Sequence, residues 1–186
     1  ISEATAECID CHASIHPGIV QDWQSSRHAK ISPQGALQID GLSRKLSSKT
    51  VPENLKNFVV GCAECHMVNP KTHADTFEHN GYDIHVVVSP ADCSTCHAQE
   101  TEQYSNNLMA HAYDNLAANP LYHKLEQSII GPKKRDGDKI VSGEADADTK
   151  AETCYYCHGT KLKVIGTEIR DTESAGELKF PVIEGW

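Results

Sequence analysis

All eight cysteines of this 186-residue chain lie in four copies of one short pattern, in which two residues separate a pair of cysteines and a histidine follows directly. Thiols at this spacing lie one helical turn apart, so both can add to the vinyl groups of one porphyrin while the histidine binds its iron. The pattern therefore predicts covalently attached haem c. The four copies are Cys8–Cys11–His12, Cys62–Cys65–His66, Cys93–Cys96–His97 and Cys154–Cys157–His158.

Paired cysteines also build structural zinc sites and disulfide frameworks, and an even count of eight fits either. Neither chemistry requires a histidine directly after each pair, and the unequal intervals between the copies are unlike a tandem zinc-finger array. The haem interpretation accounts for the cysteines and the histidines together. We therefore expect four haem c groups, each with one iron.

The composition is poor in residues that build an apolar core. Hydrophobic residues make up 39% of the chain and aromatic residues 6%, so side chains alone offer little apolar surface to bury. Four macrocycles would supply that surface. The sequence predicts mostly irregular coil with several short α-helices and minimal strand, packed around four covalent haems in a single domain over residues 1–186.

The formal net charge is −9, which argues against nucleic-acid binding because that function needs a basic surface. No apolar run is long enough to span a membrane. Because the chain begins at Ile1 rather than Met, we expect a signal peptide to have been removed. Haem attachment implies assembly outside the cytoplasm, and we expect a secreted or cell-surface location rather than a periplasmic one.

Local patterns predict few regular elements. Pro17–Lys30 and Gln99–Ala118 have helical periodicity, and Ile84–Val88 indicates a short strand. The polar stretches Ser32–Pro52 and Gly131–Lys150 are predicted loops.

Histidines are in surplus. The chain has eleven, and the four motifs use four of them, so seven remain for at most four distal positions. The two methionines are Met67 and Met109, and bis-histidine iron has a lower potential than iron with methionine and histidine. We therefore predict a low-potential electron carrier. His73 and His79, in a polar segment, are expected at the surface or against haem propionates.

The other five spare histidines are the predicted distal ligands. His111 lies on the apolar stripe of the second predicted helix, and His85 lies in the predicted strand. His28 and His123 lie on or beside helices with polar opposite faces. His16 follows the first proximal histidine by four residues, so both rings would lie on one side of a helix. We expect His16 to bind a haem of a neighbouring subunit.

Three segments, in this order, resemble the N-terminal half of octahaem cytochromes of the hydroxylamine oxidoreductase-like class: Cys8–Ala29, His85–His97 and Tyr104–Tyr122. In those enzymes the catalytic haem has an open distal position. The resemblance implies that the fourth motif, Cys154–His158, is the candidate for that open haem. The alternative function is thus a haem-bearing half of a nitrogen-oxide-converting enzyme, with acid–base groups from Tyr155, Tyr156 or His123.

The chain lacks the four later haems of those enzymes, which favours an electron carrier over an enzyme. In size and motif count it also resembles the tetrahaem subunits of extracellular cytochrome filaments, in which a histidine near one N-terminus ligates a haem in the next subunit. His16 is the residue at that position here. This resemblance implies a homo-oligomer or polymer whose partners are redox proteins or extracellular electron acceptors, with the repeating subunit of a conductive filament as one form.

Overall fold

The computed structural model describes residues 1–153, 155–156, 162–173 and 175–185. The motif residues Cys154, Cys157 and His158 lie outside the described residues. Within them, short helices and two-stranded sheets are joined by irregular coil, which confirms the predicted fold class. Among the helices of these residues, none combines the length and the apolar character that a membrane crossing requires.

The chain divides into two compact units. Unit 1 joins Ile1–Gln103 to Ile165–Val182 and carries the first three motifs. Unit 2 joins Tyr104–Val164 to the C-terminal end from Ile183, and its sequence includes the fourth motif. The single domain expected over the whole chain stays a prediction.

The helices are short, and several of them begin at a proline, which is tolerated in the first turn because its missing N–H has no partner there. Polar side chains also cap helix starts: Ser2 accepts from the Thr5 N–H and Asn119 from the Leu121 N–H. The described helices are α1 Glu3–Ile15, α2 Pro17–Ser25, α3 Pro33–Leu37, α4 Cys62–His66, α5 Pro90–Cys93, α6 Ala98–Ser105, α7 Ala112–Ala117, α8 Pro120–Ile130 and α9 Ala147–Glu152.

The longer predicted helices are broken in the structure. The pattern at Pro17–Lys30 gives a helix only as far as Ser25. The pattern at Gln99–Ala118 gives α6, a 3₁₀ turn over Leu108–His111, and α7. Asn107 interrupts the pattern because its side chain accepts from the Met109 N–H and starts a new turn.

Within the described ranges, six strands form three two-stranded sheets. Two of these are hairpins whose turn residues explain them. Asn80 and Gly81 both have positive φ, as the tightest hairpin turn requires, and Gly137 has positive φ in the second turn. The second hairpin lies inside the predicted loop Gly131–Lys150, so that prediction was wrong. The strands are β1 Phe77–His79, β2 Tyr82–Ile84, β3 Lys133–Asp136, β4 Lys139–Ser142, β5 Leu162–Thr172 and β6 Gly176–Gly185.

Three of the buried apolar side chains of unit 1 form a small cluster. Ala36, Leu46 and Val51 pack together, with Ile31 and Cys96 against them. Cys96 belongs to the third motif, so this cluster lies next to a predicted haem attachment point. The apolar core is therefore small, as the low content of apolar residues predicts, and it lies beside a motif.

Candidate haem sites

The first and second motifs are fixed against each other through Thr5. Its hydroxyl donates to Glu64 Oε2 at 2.8 Å and accepts from the Ala63 N–H at 3.1 Å. The side chain of Thr5 is fully buried. Gly61 begins α4, and a Cβ there would collide with the Thr5 side chain. Only glycine therefore allows α1 and α4 to approach this closely.

The thiols of these motifs lie in surroundings that disfavour charge. Burial raises the pKa of Cys8 to about 11, with a further contribution from Cys62. Burial likewise raises the pKa of Cys65 to about 11. A zinc site needs thiolates, whereas a thioether bond to a porphyrin carries no charge. The six described cysteines are free thiols, which also counts against a disulfide framework among them.

The proximal histidine of the second motif has a fixed orientation. His66 Nδ1 donates to the carbonyl of His85 at 2.9 Å, and the His85 N–H donates to the carbonyl of His66 at 2.9 Å. Because a carbonyl only accepts, the ring proton lies on Nδ1 and Nε2 is left for a metal. Such a second bond is the usual way a protein orients a metal-binding imidazole.

His85 itself is fully buried, and among the described residues neither of its ring nitrogens has a hydrogen-bond partner. A buried polar atom without a partner costs roughly 1–3 kcal/mol, which a bond to a metal would offset. Burial lowers the pKa of His85, with a further contribution from His73, and so keeps the ring in the neutral form that ligates metals. These properties fit the predicted ligand role.

One carboxylate, that of Asp92, lies beside the ring of His85. Asp92 accepts from His73 Nε2 at 3.0 Å, from the Ser89 N–H at 2.7 Å and from Asn69 Nδ2 at 3.2 Å, and lies 3.9 Å from His85 Nε2. Burial alone would raise the pKa of Asp92, but these hydrogen bonds outweigh burial and hold it well below its usual range. The His73 ring stacks on His85 with centroids 3.6 Å apart.

This arrangement corrects one expectation for His73, which is not at the surface but nearly buried against Asp92. Within the part of the chain that the structure describes, one group of side chains has donor atoms close enough together to hold a metal ion, namely His73, His85 and Asp92. It contains no cysteine, so it gives no support to a cysteine-ligated zinc site.

The third motif faces a cavity of about 460 Å³, within the range of 300–1,000 Å³ for ligand and cofactor sites. Cys93, Cys96 and His97 line it, and His28 lines it as well. The rings of His28 and His97 have centroids 6.1 Å apart. The loop of His28 is held because its carbonyl accepts from the Val60 N–H at 3.1 Å.

The distance between the rings of His28 and His97 can be compared with the distance between two imidazoles that bind one metal. A metal–imidazole bond is about 2 Å long, so one metal between two imidazoles places the ring centroids about 6 Å apart. The observed distance fits this requirement. Partial burial lowers the pKa of His28, with a further contribution from His97, and this too keeps the ring neutral.

The cavity walls combine apolar side chains with cations. Ile31, Leu46 and Val60 supply apolar surface, while Arg27 and Arg44 supply positive charge. Arg44 Nε is buried without a hydrogen-bond partner. A haem has an apolar ring and two anionic propionates, so this lining fits the group that the motif predicts.

The first motif has two histidines near its own. His16 lies beside His12, with their Nδ1 atoms 3.1 Å apart and their rings stacked. His79 lies on another segment, and its ring centroid is 6.4 Å from that of His12. The polar residues around His79 do not predict this contact with His12. The Asn80–Gly81 pair is a strong hairpin signal, and it predicts that His79 lies at the end of a hairpin strand.

Unit 2 holds its histidines differently. His123 Nε2 donates to the Ala117 carbonyl at 2.7 Å, and its Nδ1 lies 3.4 Å from Glu126 Oε2. His111 is exposed, and its Nε2 donates to the Ser105 carbonyl at 2.8 Å. Ligation by either residue stays a prediction, as does every distal assignment above.

Buried groups also occur close to the fourth motif in sequence. Tyr155 is buried, with ring centroids 5.6 Å from Tyr113 and 6.2 Å from Tyr122. Glu126 is buried as well, and Lys150 Nζ lies 3.9 Å from its Oε2. Tyr156, the other tyrosine of the motif, is exposed.

Comparison with known proteins agrees with this chemistry. Residues 92–178 match the family model described as cytochrome c554 and c-prime. A solved structure described as a hypothetical multiheme protein superposes on the whole chain with a TM-score of 0.84 and 39% sequence identity. This chain spans 35% of the length of that protein.

Taken with the motifs, the two matches support a multihaem c-type cytochrome that carries haem c with iron.

Proposed function

We propose that this protein relays electrons through four covalent haems whose irons each have two histidine ligands, and that it turns over no substrate. The observation that carries the proposal is the cavity of the third motif, where His28 and His97 lie at the spacing that one iron requires. His85, buried with unpartnered ring nitrogens, is further support. Two protein ligands on an iron leave it no position for a substrate.

The haem iron supplies the one-electron chemistry, and the residues of the chain fix where it occurs. The cysteines anchor each ring, and the apolar wall around Leu46 and Val60 excludes water from the third site. Arg27 and Arg44 provide positive charge for propionates. For the fourth site we propose His111 as the distal ligand, because His123 already uses both ring nitrogens.

Intact mass and spin state test the relay together. We expect the mass of the chain plus four haems, and an oxidised spectrum in which every haem is low-spin. A mass with fewer haems contradicts the number four. A high-spin haem in the wild-type protein contradicts two histidines on each iron.

We also propose an extracytoplasmic location at the cell surface or in secreted form, since haem attachment to such motifs occurs outside the cytoplasm. The expected partners are redox proteins or extracellular electron acceptors. A filament is an alternative arrangement within this proposal, in which His16 binds a haem of the next subunit in place of one of that subunit's own distal histidines. His16 is exposed, and among the described residues only its Nδ1 has a hydrogen-bond contact, with His12.

Electron microscopy and sedimentation at high protein concentration test the filament. Wild-type protein should polymerise, and His16→Ala should stay monomeric while its mass still shows four haems. A Ser14→Ala variant, altered on the same exposed helix end, serves as a control that should polymerise normally. Monomers throughout, or filaments from His16→Ala, contradict the role of His16.

A second function has its own observation. In unit 2, His111 and His123 both donate to backbone carbonyls, and the chain matches about a third of a longer multihaem protein. If neither histidine bound iron, the fourth haem would be open, as in a nitrogen-oxide-converting enzyme with Tyr155 or His123 as acid–base groups. A spectral shift of one haem on adding nitrite or hydroxylamine would favour this enzyme over the relay.

A further inference from the structure

His79 is held in place by its own hairpin. It ends β1, and the register pairs it with Tyr82 across the Asn80–Gly81 turn. Both turn residues have positive φ, at 50° and 82°, which is the conformation of the tightest and most regular hairpin turn. The backbone at His79 is therefore fixed by local sequence.

The hairpin is tied to the helix of the first motif. The Tyr82 hydroxyl donates to Glu7 Oε2 at 2.8 Å, and Glu7 directly precedes Cys8. This bond joins Tyr82, the cross-strand partner of His79, to the residue directly before the first attachment pair. The position of His79 is thereby coupled to the position of the first motif.

The ring of His79 is oriented by a third segment. Its Nδ1 donates to the carbonyl of Lys179 at 2.7 Å, and the edge-to-face contact with Phe180 has centroids 5.5 Å apart. Since a carbonyl accepts only, the proton lies on Nδ1 and the neutral ring keeps Nε2 unprotonated. This is the orienting bond that metal-binding histidines characteristically make.

The distances distinguish His79 from His16 as a partner of His12. The ring centroids of His12 and His79 are 6.4 Å apart, close to the spacing of about 6 Å for two imidazoles on one metal. His16 is stacked on His12 with ring centroids 5.1 Å apart, nearer than the spacing of about 6 Å for two imidazoles on one metal. His16 also follows His12 by one helical turn and lies on the same side of the chain.

We propose that His79 is the distal ligand of the haem carried by Cys8 and Cys11, and that the β1–β2 hairpin positions it. His16 is a hydrogen-bond neighbour of His12 and leaves that iron to His79. This inference rests on the proposed relay, because it assumes that the first iron has two histidine ligands.

The test counts low-spin haems by electron paramagnetic resonance in dilute protein that sedimentation shows to be monomeric, so that no neighbouring chain can contribute a ligand. His79→Ala should have one fewer low-spin haem than wild type at unchanged mass, and added imidazole should restore it. His16→Ala should have the wild-type number. An unchanged count in His79→Ala, or a loss in His16→Ala, overturns the proposal.

A second variant covers the case in which His79→Ala loses its haem or its fold. His79→Met keeps a ligand but exchanges its type, and methionine raises the potential of a haem iron. A redox titration should then show one haem shifted to higher potential than in wild type. If the titration matches wild type, His79 is not a ligand.

The same data separate failure of this inference from failure of the relay. A wild-type protein in which the first haem is missing or high-spin contradicts the relay itself. A wild-type protein with four low-spin haems, combined with an unchanged His79→Ala, contradicts the assignment of His79 alone.

Discussion

The two units use histidine in opposite ways. In unit 1, His28, His79 and His85 come from segments distant in sequence from the motif histidines they approach, and their rings lie about 6 Å from them. In unit 2, His111 and His123 donate to carbonyls six residues away in their own segments. The histidine contacts of unit 1 thus join segments distant in sequence, whereas these histidine bonds of unit 2 stay within one segment.

The units also differ in how their buried carboxylates are satisfied. Asp92 of unit 1 accepts from three residues and has no unpartnered oxygen. Glu126 of unit 2 has one carboxylate oxygen with a histidine and a lysine nearby, and its other oxygen has no partner. Of these two buried carboxylates, that of unit 1 is the more completely hydrogen-bonded.

The largest effect is expected when a predicted iron ligand is removed. This change tests whether the two units differ in their use of histidine. His28→Ala should convert one haem from low-spin to high-spin, because His28 lines the cavity of the third motif opposite His97. His123→Ala, the matched change in unit 2, should leave the low-spin count unchanged. Electron paramagnetic resonance measures both. Equal losses would show that the two units use their histidines alike.

A smaller effect is expected at the buried carboxylates. Asp92→Asn should lower the free energy of unfolding by about 1–3 kcal/mol, because buried donors lose their acceptor. Glu126→Gln should cost less, since it receives fewer donors. Chemical denaturation at neutral pH measures both. A larger cost for Glu126→Gln would reverse the comparison.

The pH dependence of this stabilisation has a definite sign. The pKa of Asp92 is lowered in the folded protein, whereas an unfolded aspartate has a pKa of about 3.9. Its contribution is therefore fully present above about pH 4 and is lost as the pH falls through the folded pKa. In denaturation series over this range, the difference between wild type and Asp92→Asn should shrink towards low pH.

An effect of similar size is expected at the contact between α1 and α4 that holds the first two motifs together. Gly61→Ala should destabilise by about 1–3 kcal/mol through overpacking, because its Cβ would meet Thr5. Gly18→Ala is the control, since nothing lies within 4 Å of a Cβ there, and it should be neutral or stabilise by up to about 1 kcal/mol. Thermal unfolding ranks the two. A Gly61→Ala variant with the thermal stability of wild type would show that Thr5 moves aside at little cost in free energy.

The sequence predicts most where the chemistry depends on residues that are close together along the chain. The four attachment motifs, the predominance of coil and the thin apolar core all follow from composition and spacing. The sequence predicts least in segments where polarity is the main pattern. The polar composition around His73 and His79 predicts a position at the surface or against propionates, and that of Gly131–Lys150 predicts a loop. Composition shows neither the hairpin turns nor the buried bond of His73 to Asp92.

By itself, the sequence determined the cofactor chemistry, because two thiols and an imidazole one turn apart need only the local geometry of a helix. It determined the supply of histidines as well. Only the tertiary structure decided which histidines approach which motif, since His28 meets His97 and His79 meets His12 through loops, hairpins and carbonyl bonds distant in sequence. The physical reason is that attachment is local, whereas a second ligand has to reach the iron from another part of the chain.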